Sequence, residues 1–348
     1  MRVRFDGRAS AASPLPLASV LFLGLLLGLG AVSCRSAPRA GDPLVRNGDE
    51  ISVCGYLFHT GARVILWNDP GGYDAYRPHR RFPGEGTETG AGAEVEPAAG
   101  PRDAPERIAR YGSFRRGLPE DIAVRLPQKG WTLQDLRRVV DRVVLHYDAC
   151  GASERCFEVL HDIRGLSAHF LIDLDGTIYQ TLDAKERAWH AAELNDRSIG
   201  IEIAHIGADE SRATLDEWYI ERDGGLQVNP EKIAKYFPRR FVARPASAEL
   251  RTATIHGRAV MQYDYTEAQY RALERLLVTL CRVLPAIPPT VPRIGDGKIH
   301  LGIIDYESAG PGSEAGIIGH FHGSTDKIDP GPAFDWDRIE KALREVER

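Results

Sequence analysis

Two histidines close short apolar runs far apart in this chain: His146 ends VVLH and His320 ends GIIGH. Asp329 follows His320 by nine residues, and Lys327 stands just before it. A histidine that terminates a buried strand brings a ring nitrogen to the rim of a sheet, where a metal ion can sit. Two imidazoles and one carboxylate leave a fourth tetrahedral position open, which suits a zinc site that works on water rather than one that only staples a fold. Such an ion makes water acidic, so a proton acceptor is needed beside it. Glu202 is well aimed for that role. In SIGIEIA, Ile199, Ile201 and Ile203 face one way while Ser198, Gly200 and Glu202 face the other. Lys327 offers positive charge for an oxyanion. Pro330 and Pro332 stiffen the loop that carries Lys327 and Asp329. His322 points to the same side as His320 if the strand continues, so spacing alone lets either imidazole reach the metal.

These residues need a scaffold, and the pattern supplies one from about residue 130 onward. Val143, Val144 and Leu145 read as a short buried strand. Residues 154–164 carry Phe157, Leu160 and Ile163 at helical spacing, with Gly165 placed to end the helix. HFLIDLDGTIYQ reads as strand, Asp-Gly turn, strand. Thr266 and Gln269 form a capping box for a helix running to about Leu284, with an apolar stripe from Tyr270 to Leu284 and Pro285 to stop it. Residues 51–82 alternate as a small β-rich extension, and 83–105, rich in Gly, Ala, Pro and Glu, read as a linker or exposed loop. An insert over 208–260 reads as a solvated surface or a wall of a groove.

The bulk numbers narrow the partners. The chain has 348 residues and a net charge of −5 with no polybasic block, which argues against nucleic acid. A monomer is expected. Arg2, Arg4 and Arg8 precede LASVLFLGLLLGLGAV, an apolar run too short for a comfortable membrane span. It ends in AVSC and resembles a bacterial lipoprotein signal, although Ala31 stands where that pattern usually has Leu. The resemblance implies removal of residues 1–33, lipidation of Cys34 and a tether over 34–50. Arg35 after the cysteine implies, by resemblance to Gram-negative sorting, an exported protein anchored to the outer membrane and facing the periplasm. Export means an oxidising compartment for Cys54, Cys150, Cys156 and Cys281.

Four blocks in order, VVLHYDAC, LSAHFLIDLDGTIYQ, AWHAAELNDRSIGIEIA and GHFHGSTDKIDPGPAFDW, resemble the type 2 N-acetylmuramoyl-L-alanine amidases, which share a fold with the peptidoglycan recognition proteins. The resemblance spans roughly residues 140–340. It implies an α/β fold with a central mixed β-sheet flanked by helices, in a catalytic domain over 130–345. It implies one zinc ion on His146, His320 and Asp329, with the glycine before His320 favouring it over His322. Glu202 then matches the catalytic carboxylate and Lys327 the stabilising lysine. The implied reaction is hydrolysis of the amide between N-acetylmuramic acid and L-alanine, in peptidoglycan or muropeptides. His190 and Asn195 match positions lining the substrate groove. His169 matches a histidine near it, and His322 is left as a support or substrate contact. Cys150 and Cys156 have the spacing of a disulfide in the recognition proteins. The alternative is a non-catalytic peptidoglycan-binding protein on the same fold. Such proteins usually lack a ligand or a catalytic group, and none is missing here.

Overall fold

The computed structural model describes residues 40–42, 44–82, 109–306 and 313–346. The expected leader, Cys34 and the linker over 83–105 lie outside them. The described residues up to Val45 hold a single turn, and all that follows concerns the unit Arg46–Arg348.

The unit begins with a hairpin of β1 (Glu50–Val53) and β2 (Tyr56–His59), followed by β3 (Val64–Leu66). β4 (Tyr111–Gly112), α1 (Glu120–Lys129) and α2 (Leu133–Val139) come next. The Thr132 hydroxyl caps α2 by accepting the Asp135 N–H, and the Asp135 carboxylate returns to the Thr132 N–H. Then come β5 (Arg142–Tyr147), α3 (Ser153–Phe157), β6 (Phe170–Ile172), β7 (Ile178–Gln180), β8 (Arg187–Ala188) and β9 (Ser198–Ile203). The insert folds as α4 (Arg212–Trp218), a hairpin of β10 (Tyr219–Arg222) and β11 (Gly225–Val228), α5 (Pro230–Ile233), and a hairpin of β12 (Arg251–Ile255) and β13 (Arg258–Gln262). α6 (Glu267–Val283), β14 (Ile317–Gly319) and α7 (Trp336–Leu343) complete it.

Six strands form the central sheet in the order β14-β5-β9-β6-β7-β3. Only the β6–β7 pair is antiparallel, so the sheet is mixed. β3 pairs with β7, which makes the N-terminal extension an edge of this sheet. Alternation decides what each face meets. Val143, Leu145, Ile199, Ile201 and Ile203 pack in one core with Leu273, Leu276, Leu277 and Leu280 of α6. Full burial of each such side chain is worth about 1.5–3 kcal/mol, which is what holds α6 to the sheet. Val144 packs with Ile318 and Ala191, and Leu171 with Phe157 and Tyr73, in other clusters. The insert has a satellite core around Leu215, Tyr219, Leu226 and Ile233.

Two elements differ from the sequence reading. The helix expected over 154–164 starts as α3 but widens into a π-helix over Glu158–Arg164. Extra backbone in each π turn rotates the side-chain stripe, so Phe157 stays buried while Ile163 is exposed. Gly165 does end it, in the left-handed region at φ 67°. The last strand stops at Gly319, and His320–His322 turn as a 3₁₀ helix. Among the described residues no helix is long and apolar enough to cross a membrane.

Candidate active site

β5 and β9 run in parallel register with His146 opposite Glu202. β14 lies on the other side of β5 and delivers His320 at its end. Asp329 approaches from the following loop. His146 Nδ1 lies 2.8 Å from Asp329 Oδ2, and His320 Nδ1 lies 3.1 Å from the same oxygen. All three side chains are buried, and their donor atoms fall within 4.8 Å of one another. Glycine at 319 lets the two segments close on each other, because a Cβ there would fall 2.5 Å from Pro330 Cδ.

The Asp329 loop is fastened by Tyr265 and Gln262, which the sequence did not single out, and by His256, which reads in the sequence as structural or as a rim residue. Tyr265 donates its hydroxyl to the Pro330 carbonyl at 2.7 Å, and Gln262 donates its amide to the same oxygen at 3.0 Å. Gln262 Oε1 accepts the Ala333 N–H at 3.0 Å. Phe321 N–H donates to the Asp329 carbonyl. His256, at the tip of the β12–β13 hairpin, donates Nε2–H to the Phe321 carbonyl at 2.7 Å. None of these partners has a motif. They are visible only once the insert is folded back over the site.

A cavity of about 350 Å³ opens on this cluster. His146, His190, Glu202, His320, Lys327 and Asp329 line it, joined by Arg164, Arg258, Tyr147 and Asp148. Burial, together with the charges of Asp329 and Asp148, raises the Glu202 carboxyl well above its ordinary range. Burial alone would raise Asp329 too, but the His146 and His320 rings beside it prevail and hold it well below. His146 is pushed down to about 4 by burial and by His320, so its ring is neutral at pH 7. Burial and His146 lower His190 as well. The donor set of two imidazoles and an ionised carboxylate fits a divalent metal such as zinc. A larger groove of about 720 Å³ between residues 61–63 ahead of β3, the Asp175–Thr177 turn, α6 and the C-terminal residues is lined by no histidine or cysteine among the described residues. A second acidic cluster, Asp49, Glu50 and His59, is already used internally. Glu50 accepts the N–H groups of Asn47 and Gly48, and Asp49 pairs with His59.

Three expectations need correction, and a fourth is narrowed. His169 is fully buried and does not reach the groove: its Nδ1 accepts the Gly200 N–H and its Nε2–H donates to the Glu186 carbonyl, each at 3.0 Å. Asn195 is buried, and its side-chain Oδ1 accepts the N–H groups of His190 and Ala191. It shapes the loop instead of lining the groove. His322, left as a support or a substrate contact, is the support: it is turned away from the metal cluster because the strand has given way to a 3₁₀ turn. Its Nδ1 accepts the Gly319 N–H at 2.8 Å, and its Nε2–H donates to the His300 carbonyl at 2.7 Å, so it braces the turn that presents His320. Cys150 and Cys156 are separate thiols, not a disulfide. Both line the cavity, and burial raises both, which keeps them protonated and poorly nucleophilic.

The chain resembles known proteins over this same region. A family model described as N-acetylmuramoyl-L-alanine amidase matches residues 136–332. No curated protein sequence matches the chain. Among solved structures, a selenomethionine derivative of AmpD is 20% identical, with 59% of this chain and 86% of that one covered, at a TM-score of 0.30. AmpDh3 from Pseudomonas aeruginosa, in complex with an anhydromuramic pentapeptide, is 20% identical over 58% of this chain and 59% of its own, at 0.33. AmiD from E. coli, in complex with anhydro-N-acetylmuramic acid-L-Ala-D-gamma-Glu-L-Lys, is 19% identical over 62% of this chain and 59% of its own, at 0.34. The chain therefore spans about three fifths of the length of the last two. The family match covers more than half of the chain and includes every element that carries the buried His146–His320–Asp329 cluster and Glu202, and the chain belongs to the N-acetylmuramoyl-L-alanine amidase family, a family of amide hydrolases.

Proposed function

We propose that this chain is a zinc-dependent hydrolase of the amide between N-acetylmuramic acid and L-alanine, acting on peptidoglycan or its muropeptide fragments. The observation that carries the reading is the convergence of His146 Nδ1 and His320 Nδ1 on Asp329 Oδ2 within one cavity that Glu202 and Lys327 also line. His146, His320 and Asp329 would hold a single zinc ion, which when bound supplies Lewis-acid activation of water and of the scissile carbonyl. Glu202 accepts the proton of the attacking water and returns it to the leaving L-alanine nitrogen. Burial raises its carboxyl above the ordinary range, which makes it the stronger proton acceptor. The Lys327 ammonium offsets negative charge on the carbonyl oxygen as the tetrahedral geometry forms. The leader and Cys34 support an exported, lipid-anchored protein at the outer membrane, facing the periplasm.

The test is a digest of purified peptidoglycan by a soluble form beginning at residue 35, with products read by mass spectrometry. Free stem peptides with an L-alanine amino terminus should appear, vanish with a chelator and return with zinc. Retention of peptidoglycan without cleavage by the zinc-loaded protein would replace this reading with the binding one. Labelling with a palmitate analogue, lost in Cys34→Ser, tests the anchor.

A further inference from the structure

The face of β9 that carries Glu202 also carries Ser198 and Gly200, and these two residues meet the ring of His190. His190 in turn touches His146. His146 Nε2 lies 3.0 Å from His190 Nδ1. His190 Nε2 lies 3.3 Å from Ser198 Oγ, and Ser198 Oγ lies 2.6 Å from the Leu194 carbonyl oxygen. Four groups thus form one line that starts at a cluster histidine and ends on a backbone carbonyl.

The polarity of that line is fixed by its end. A carbonyl can only accept. Two oxygens 2.6 Å apart require a proton between them, so the Ser198 hydroxyl donates to Leu194. With its single proton committed, Ser198 Oγ can only accept from His190, so the His190 proton sits on Nε2. His190 Nδ1 then carries a lone pair, and two ring nitrogens 3.0 Å apart likewise need a proton between them, so His146 Nε2 carries it. His146 is left with its lone pair on Nδ1, facing Asp329 Oδ2 at 2.8 Å. Two electron pairs so placed repel each other unless a cation lies between them.

We infer that His190 and Ser198 are positioning residues whose hydrogen-bonded line holds His146 in the tautomer that binds metal. The inference rests on the metal reading above. Each residue of the strand face has its part: Ser198 sets the proton direction, Gly200 leaves room for the ring, and Glu202 handles the reacting proton. A Cβ at Gly200 would fall 2.5–2.7 Å from the atoms of the His190 ring. Asn195 anchors the backbone N–H of His190 from the other side. His190 is thereby occupied within the protein at both ring nitrogens, which sets its role apart from substrate hydrogen bonding.

The test has two arms on the full chain. In the first, zinc affinity is measured by competition with a chromophoric chelator for wild type, His190→Asn and His190→Leu. Asparagine places its Oδ1 near the lost Nδ1 and can accept from His146, whereas leucine cannot. The Leu variant should lose about 10–100-fold in affinity, the range for loss of a partner to a metal-bound histidine, and the Asn variant should recover most of that loss. Equal loss in both variants, or none in either, overturns the inference. In the second arm, ring-nitrogen correlation NMR reads tautomers in wild-type protein with and without zinc. His190 should carry its proton on Nε2 in both, and a proton on Nδ1 overturns the inference. The second arm holds whether or not zinc binds. If wild type takes up no zinc, the metal reading fails by itself and the tautomer still decides the line.

Discussion

His146 and Glu202 stand opposite each other on neighbouring parallel strands, in register across the β5–β9 pair. The position of the proposed base relative to the first proposed ligand is thus set by backbone hydrogen bonds in the middle of the sheet. A slip of one residue would turn Glu202 into the core and Ile201 or Ile203 toward the cavity. The isoleucines prevent that slip, since all three are fully buried against the α6 side of the sheet.

Glu202→Gln tests the base directly. The amide keeps the size of the side chain and cannot take a proton. Turnover should fall by about 10²–10⁴-fold, the usual worth of a general base, while zinc content stays at the wild-type level by metal analysis. Undiminished turnover would remove Glu202 from the reaction. Loss of zinc along with turnover would make it a ligand.

His169→Leu separates a core histidine from a substrate contact. The substitution leaves the Gly200 N–H without its acceptor, while the Glu186 carbonyl keeps a bond from Arg115. One orphaned buried donor costs about 1–3 kcal/mol. Urea denaturation should show that loss, with KM for a muropeptide close to wild type. A raised KM with unaltered stability would return His169 to the groove.

How much of this site could be read in advance depends on whether a residue acts through its own strand or through a distant one. His146, His320 and Glu202 were legible because apolar alternation placed each at a strand end or on a strand face. The shared face of Ser198, Gly200 and Glu202 was legible too, although its use as a hydrogen-bonded line was not. Spacing alone could not rank His320 above His322, because period-two reasoning assumes an extended chain and the backbone turns after Gly319. Ile163 was misread because a π-helix leaves no mark in apolar spacing. Gln262, Tyr265 and His256 act on Pro330 and Phe321 from more than 60 residues away. No local pattern records such a contact.

Gln262→Leu tests that remote support. It removes one bond to Pro330 and leaves the buried Ala333 N–H with no acceptor, for a cost of about 1–3 kcal/mol. Tyr265→Phe removes only a second donor from a carbonyl that Gln262 still satisfies, so about 0.5–1.5 kcal/mol is expected. Zinc affinity should fall in the same order, because both residues hold the segment next to Asp329. A larger loss in the Tyr265 variant than in the Gln262 variant would contradict this ranking.

Asp173 gives the protein a pH dependence away from the cavity. It is buried after β6, and Oδ1 accepts the N–H groups of Ser153 and Leu174 at 3.2 and 3.0 Å. Burial outweighs those bonds and raises the carboxyl from 3.8 to about 7. Between those values the folded protein holds a proton that the unfolded chain has released. The contribution is therefore intact below 3.8 and is lost as pH rises through about 7. Asp173→Asn keeps the accepting oxygen and has no proton to lose. The stability of the variant relative to wild type should rise from about pH 4 and level off above about pH 7 in urea melts of the metal-free protein. A relative stability that stays flat or declines over that interval would show that the carboxyl is ionised in the fold.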